Sequence, residues 1–152
     1  MGFPAYFVSA LVVYLSGIGG LLLYRGASDE LIKYHSYLRI ALASLFSLIF
    51  GLFSFSAFPN NPEIAFLMLF SIILISLNTM IWKDIYFVFL SVIFSLSYLY
   101  SDYFIIISTL IFAYGMLSFG MCMEKKSFKR LMIRRLPFVI LVLFGFLLTF
   151  SL

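Results

Sequence analysis

Residues 83–102 read KDIYFVFLSVIFSLSYLYSD. Between Lys83-Asp84 and Ser101-Asp102 runs an uncharged stretch, Ile85–Tyr100. Whether it crosses a membrane decides the fold, because it sets the side on which everything downstream lies. A helix through the hydrocarbon needs about 20 apolar residues, within a range of about 17–25. This run is short, so it borrows its flanks, thins the bilayer locally or stops short of crossing.

Charge provides the test. Downstream, residues 124–135 read EKKSFKRLMIRR and hold Lys125, Lys126, Lys129, Arg130, Arg134 and Arg135. The remaining basic residues are Arg25, Lys33, Arg39 and Lys83. If 85–100 crosses, alternating spans deliver the connections 25–39, 83–84 and 124–135 to one side, and all ten Lys and Arg lie there. If residues 64–100 crossed only once, the hexabasic segment would fall on the other side. Positive residues mark the cytoplasmic face. The expectation is therefore six spans, at about 3–24, 40–58, 64–82, 85–100, 103–123 and 136–152, with both termini outside the cell membrane. Spans 4 and 6 are the short ones.

Composition agrees with a membrane domain. Of 152 residues, 64% are hydrophobic and 11% charged, against about 45–50% and about 25% in soluble domains. The mean hydropathy is +1.17. No polar stretch is long enough to form a second domain, so residues 1–152 read as one all-α, polytopic six-helix bundle. The net charge of +4 borders apolar spans, which points to anionic headgroups as the partner and away from nucleic acid.

Punctuation and aromatics mark the same boundaries. Pro59-Asn60-Asn61-Pro62 is a turn signal. Trp82, Tyr24, Tyr34, Tyr37 and Tyr86 fall near the inner edge, and Tyr6, Tyr98, Tyr100 and Tyr103 near the outer one. Such rings favour the headgroup level. In the first long connection, Ser28 is placed to cap a helix opening with Asp29 and Glu30. In the second, Phe128, Leu131, Met132 and Leu136 share one helical face, with most of the basic residues on others. That pattern is a short basic amphipathic interfacial helix, and Lys125, Lys126, Lys129, Arg130, Arg134 and Arg135 are its expected anionic-lipid contacts.

Chemistry-bearing residues are sparse. No Asp, Glu, Lys, Arg or His falls inside an expected span, which argues against proton relays and carboxylate-coupled exchange. Cys122 is the only cysteine and His35 the only histidine. Internal disulfides, bis-histidine haem ligation and histidine-rich metal sites are excluded. No Gly-x-Ser-x-Gly elbow is present. No cofactor and no catalytic residue are expected.

The remaining pattern is a sorting by depth. Small and polar residues collect in the cytoplasmic halves of the spans, and Phe50, Phe53, Phe55, Phe58, Phe66 and Phe70 in the outer halves of spans 2 and 3. Two readings compete. Ser16-x-x-x-Gly20 and Ala43-x-x-x-Ser47-x-x-x-Gly51 have the spacing that lets helix backbones approach closely. Alternatively, Tyr14, Ser16, Gly19, Gly20, Ser44, Asn78, Thr79 and Tyr114 line a crevice open to the cytoplasm. Tyr14 and Tyr114 fall near mid-membrane, where an unpaired hydroxyl is costly, so each is expected to face the bundle and find a partner.

The function expected first is a non-enzymatic membrane protein acting through helix and lipid contacts, as a membrane subunit of a larger complex or self-associated. A channel, facilitator or transporter for a small neutral or apolar solute through the inner crevice is the alternative. An inner-leaflet lipid-modifying enzyme using His35 and the basic segment is the third class.

Overall fold

The computed structural model describes residues 3–61, 63, 66, 83–98, 103–123, 132–133 and 136–151. Among them the chain is helical, with no strand: α1 Phe3–Lys33, α2 His35–Ala57, α3 Lys83–Ser97, α4 Phe104–Met123 and α5 Leu136–Ser151. Three helices are long and apolar enough to cross a membrane, over Pro4–Lys33, His35–Ala57 and Phe104–Cys122; Tyr86–Ser97 and Leu136–Gly145 are shorter apolar helices. The expected third span, 64–82, lies outside the described residues except for Phe66, whose ring meets Phe55 edge-on at 5.2 Å. The expected interfacial helix also lies outside them, except for Met132 and Ile133.

The outward faces belong in hydrocarbon. On α1, Phe7, Val8, Leu11, Val12, Leu15, Ile18 and Leu22 are exposed, and on α5 so are Ile140, Leu143, Phe144 and Leu147. Soluble monomers rarely expose contiguous apolar surface on this scale. Inside, tyrosine apart, every buried polar side chain among the described residues is a serine. Most of these hydroxyls bond the preceding turn of their own helix, as Ser47 does to the Ala43 carbonyl at 2.9 Å and Ser108 to that of Phe104 at 2.7 Å. A serine paired in this way adds no unmet polar group to an apolar interior. Large hydrocarbons without, and an interior whose polar groups are small paired serines, mark an integral membrane protein.

α4 is the central helix. Of its apolar window 56% is buried, against 28% for α1 and for α2. It packs most extensively on α1 and also contacts α2 and α3, while α5 rests mainly on α3. α3 divides cleanly: Leu90, Ser91, Ile93, Phe94, Ser95 and Ser97 are buried, and Val88, Phe89, Val92 and Leu96 are exposed. At 1.5 Å per residue its described part is ~22 Å long, less than the ~30 Å hydrocarbon.

The first connection departs from expectation. Arg25 does not stop the helix; α1 continues to Lys33 across a kink at Ala27, where φ is −143° and ψ 36°. Charge marks where lipid ends, but arginine is a good helix former and breaks nothing. Beyond the kink Leu31 is buried, close to the Cα of Gly120 on α4. Backbone bonds from Tyr34 to Glu30 (2.8 Å) and from Leu38 to Tyr34 (3.0 Å) carry the chain on toward α2. Ser28 does not cap this turn as expected, since its Oγ donates to the Asp29 carboxylate at 3.3 Å. The turn after α2 lies where Pro59-Asn60 places it, closed by Phe58 N–H to the Ser54 carbonyl and Asn61 N–H to the Phe58 carbonyl. Gly26 has open space where a Cβ would stand and no positive φ. Gly26→Ala is therefore expected to leave the melting temperature unchanged or raise it, by at most about 1 kcal/mol of added stability.

Candidate functional site

The bundle is tied together around Tyr6. Its ring is 2% exposed and touches three aromatic neighbours, Phe94 at 5.3 Å, Tyr98 at 4.9 Å and Phe104 at 6.0 Å between centroids. Its hydroxyl donates to the Val142 carbonyl of α5 at 2.8 Å and lies 3.2 Å from Ser95 Oγ of α3. The Ser95 hydroxyl can turn to Tyr6 or to the Ser91 carbonyl, 3.0 Å away. One side chain of α1 thus meets α3, α4 and α5. Sequence reading placed Tyr6 and Tyr98 near the outer edge, and in the structure the two rings pack against each other with centroids 4.9 Å apart. Period and depth distinguish an interfacial tyrosine from a buried one only when the neighbouring helices are known. Tyr103 does stand exposed.

From this junction a cavity of about 630 Å³ runs between α1 and α5, lined by Tyr6, Leu11 and Tyr14 on one side and Phe138, Leu143 and Leu147 on the other. The volume lies within the ~300–1,000 Å³ of small-molecule sites. Its walls are almost wholly apolar. The Tyr6 hydroxyl is already engaged by Val142 and Ser95, and Tyr14 stands two turns further along α1.

The residues expected to form an inner crevice are distributed over several contacts. Gly20 abuts α4: a Cβ there would lie 2.6 Å from Phe119 Cβ and 2.7 Å from the Met116 carbonyl oxygen. Gly19 faces the Met116 side chain, and Gly17 faces Phe119 and the Met132 sulfur. Ser16 is buried on the same stretch. Ser16-x-x-x-Gly20 therefore works as a packing face against α4, with the Gly20 carbonyl oxygen 3.3 Å from the Cβ position of Gly120. Tyr114 is buried between Phe46 and Phe87, at 6.0 and 5.8 Å. Ser44 is exposed on α2. Tyr14 and Ser16 share one small pocket of about 10 Å³ with Phe87, Ile111 and Phe138. That is room for one water at most. Asn78 and Thr79 lie outside the described residues, as do Lys125, Lys126, Lys129, Arg130, Arg134 and Arg135.

Among the described residues ionisable chemistry does not converge on any point. Among the described residues no three His, Cys, Asp or Glu side chains come together as a metal site, and no buried side-chain oxygen or nitrogen lacks a partner. Cys122 is a free, half-buried thiol. His35 is half-buried at the start of α2, and the Lys33 ammonium lies 5.4 Å from the Tyr34 ring centroid. The α1–α5 cavity and its two tyrosines were not singled out by sequence reading as a unit. The only available signal was the shared depth of Tyr14 and the aromatic start of the last span. No protein-family model, curated protein or solved structure matches this chain.

Proposed function

We propose that this chain is a non-enzymatic, polytopic membrane protein that works through helix and lipid contacts, as a membrane subunit assembled with other membrane proteins or with copies of itself. The observation that carries this reading is a bundle whose outer faces are as apolar as its core. The interior packs aliphatic and aromatic side chains around serines that are mostly self-paired, and the exterior of α1, α3 and α5 is Leu, Ile, Val and Phe as well. With little interior chemistry, the working surface is the outside of the helices. The reading includes six spans, both termini outside the cell, and a basic segment over 124–135 resting on anionic headgroups. The one-sided distribution of all ten Lys and Arg supports that layout, and each basic residue near an anionic leaflet contributes about 1 kcal/mol.

Two measurements test it. In mild detergent the 17.4 kDa chain is expected to run in an assembly heavier than a monomer by light scattering. A stable, partner-free monomer would overturn the subunit reading. A reporter at the C-terminus is expected to be active only outside the cell, and a cytoplasmic C-terminus would overturn either the six-span count or its orientation.

A further inference from the structure

The described parts of α3 and α5 begin at one depth, and that depth is well inside the end of α1. Ser95 of α3 stands where a Cβ on Gly145 of α5 would, and Phe87 and Phe138 line the same small pocket. The offset in numbering is nearly the same at both points, so the two helices run side by side in one direction. Lys83, the first described residue of α3, is therefore about level with Ile133. A second contact sets this level against α1: a Cβ on Gly17 would lie 2.8 Å from the Met132 sulfur. From Gly17 to Arg25, the first charge on α1, the helix rises about 12 Å at 1.5 Å per residue. From Phe3 to Gly17 it rises only about 21 Å, short of the ~30 Å hydrocarbon.

Arg134 and Arg135 are the two residues between Ile133 and Leu136. Met132 before them meets Gly17, and Phe138 after them shares the pocket of Tyr14 and Ser16, so the chain on either side is held deeper than Arg25. An extended residue spans only about 3.6 Å, and guanidinium groups do not rest in hydrocarbon. Snorkelling toward the interface recovers roughly half of the distance to Arg25. The rest has to come from the bilayer, which thins beside a helix too short to cross it.

We propose that the leaflet on the basic side of the protein is indented where α3 and α5 begin, and that phospholipid headgroups descend there to about the depth of Gly17. Charge complementarity names the occupant. Lys83 and Asp84 open α3, the arginine pair directly precedes α5, and no acid stands near that pair in the sequence. Lipid phosphate is its counter-charge. The inference rests on the reading that the basic segment meets anionic headgroups, and it adds the depth at which they are met. Depth is measured without reference to sidedness, so the two fail separately. A cytoplasmic C-terminus would overturn the sidedness and leave the indentation standing, and undisturbed lipid around Ile133 would do the reverse.

Nitroxide labels test it, in the full chain with Cys122→Ser, reconstituted in vesicles of phosphatidylcholine and phosphatidylglycerol. One label goes on Ile133→Cys, an exposed position. The other goes on Ser44→Cys, exposed on α2, which makes no extensive contact with α5. Ser44 lies near the same depth, because Phe46 meets Tyr114, Tyr114 meets Phe87, and Phe87 shares a pocket with Phe138. Soluble nickel ethylenediaminediacetate reports water, and a nickel-chelating lipid in the same vesicles reports headgroups. Both are expected to collide with the Ile133 label several-fold more often than with the Ser44 label. Replacing the pair (Arg134→Leu with Arg135→Leu) should bring the Ile133 label down to the Ser44 value. Equal collisions at the two labels would overturn the proposal, whether both are low, as in a flat bilayer, or both high. Access for the soluble nickel but not for the chelating lipid would mean a water-filled crevice and overturn the lipid occupant. Unchanged collisions in the double variant would overturn the role of the arginine pair.

Discussion

Gly20→Leu is expected to separate α1 from α4 and to cost the protein most of its stability. A Cβ alone at residue 20 would lie 2.6 Å from Phe119 Cβ, 2.7 Å from the Met116 carbonyl oxygen and 3.0 Å from the Gly120 amide nitrogen. Real contacts of this kind do not occur below about 3 Å, and none of these three atoms can swing aside. Two are backbone and the third is fixed directly to it. The helices must therefore move apart as rigid bodies, and α1–α4 is the most extensive pair among the described helices. Overpacking of a tight core costs about 1–3 kcal/mol, occasionally more. Gly20→Ala should lie in that range and Gly20→Leu beyond it, a large part of the about 5–15 kcal/mol of a typical domain. Cys122, the only cysteine, supplies the readout, since a thiol-reactive dye reports the opening of α4 on heating. Gly19 is the internal comparison. Its Cβ position meets the Met116 sulfur at 3.1 Å and the Met116 Cγ at 3.2 Å, and a methionine side chain is adaptable. Gly19→Ala should shift the midpoint far less. Equal melting of Gly20→Leu and wild type would show that α1 and α4 do not approach as described.

Tyr6→Ala is the second large effect. The ring sits at 2% exposure where α1, α3, α4 and α5 meet, and Phe94, Tyr98 and Phe104 all rest on it. Removing a buried aromatic side chain of this kind costs about 3–5 kcal/mol through lost contacts and the cavity left behind. The hydroxyl is the smaller part. A hydrogen bond between helices in a membrane averages about 0.6 kcal/mol, so Tyr6→Phe should lose only that order of stability despite the 2.8 Å bond to Val142. Measured by the same thiol assay, the expected order is wild type, then Tyr6→Phe, then Tyr6→Ala well below. A Tyr6→Phe variant as unstable as Tyr6→Ala would mean that the Val142 and Ser95 contacts, not the ring, hold the junction.

The glycines of α1 show how far a pattern can be read. Ser16-x-x-x-Gly20 carries the spacing of a close helix contact whatever the rest of the chain does, and the structure uses it that way against α4. The partner helix was not legible. Gly120 has no distinguishing neighbours in sequence, and its meeting with Gly20 depends on the register of two helices a hundred residues apart. The described residues of the depth-sorted set are spread over several contacts for the same reason. Residues at one depth belong to different faces, so Gly19 and Gly20 turn to α4, Ser44 turns outward, and Tyr114 turns to Phe46 and Phe87. The connection after Arg25 went astray on a different principle. Hydropathy reports the edge of the lipid, while the helix persists until backbone geometry changes, at Ala27 and again at Tyr34.

What the amino-acid sequence determined by itself was the solvent. Sixty-four per cent hydrophobic residues, long uncharged runs and few charges demand a hydrocarbon surround; there the backbone must satisfy its own hydrogen bonds, as helices or closed barrels do, and continuous apolar runs of this length select helices. The positions of four described helices followed from the same runs. Tertiary structure alone decided which faces are inside. Along a helix apolar all round, as α4 nearly is, periodicity carries no direction. The choice is made by fit: a glycine against a backbone, a serine that pairs with its own turn, and a tyrosine whose hydroxyl reaches a carbonyl 136 residues away in the chain. It is also fit that leaves an apolar cavity between α1 and α5.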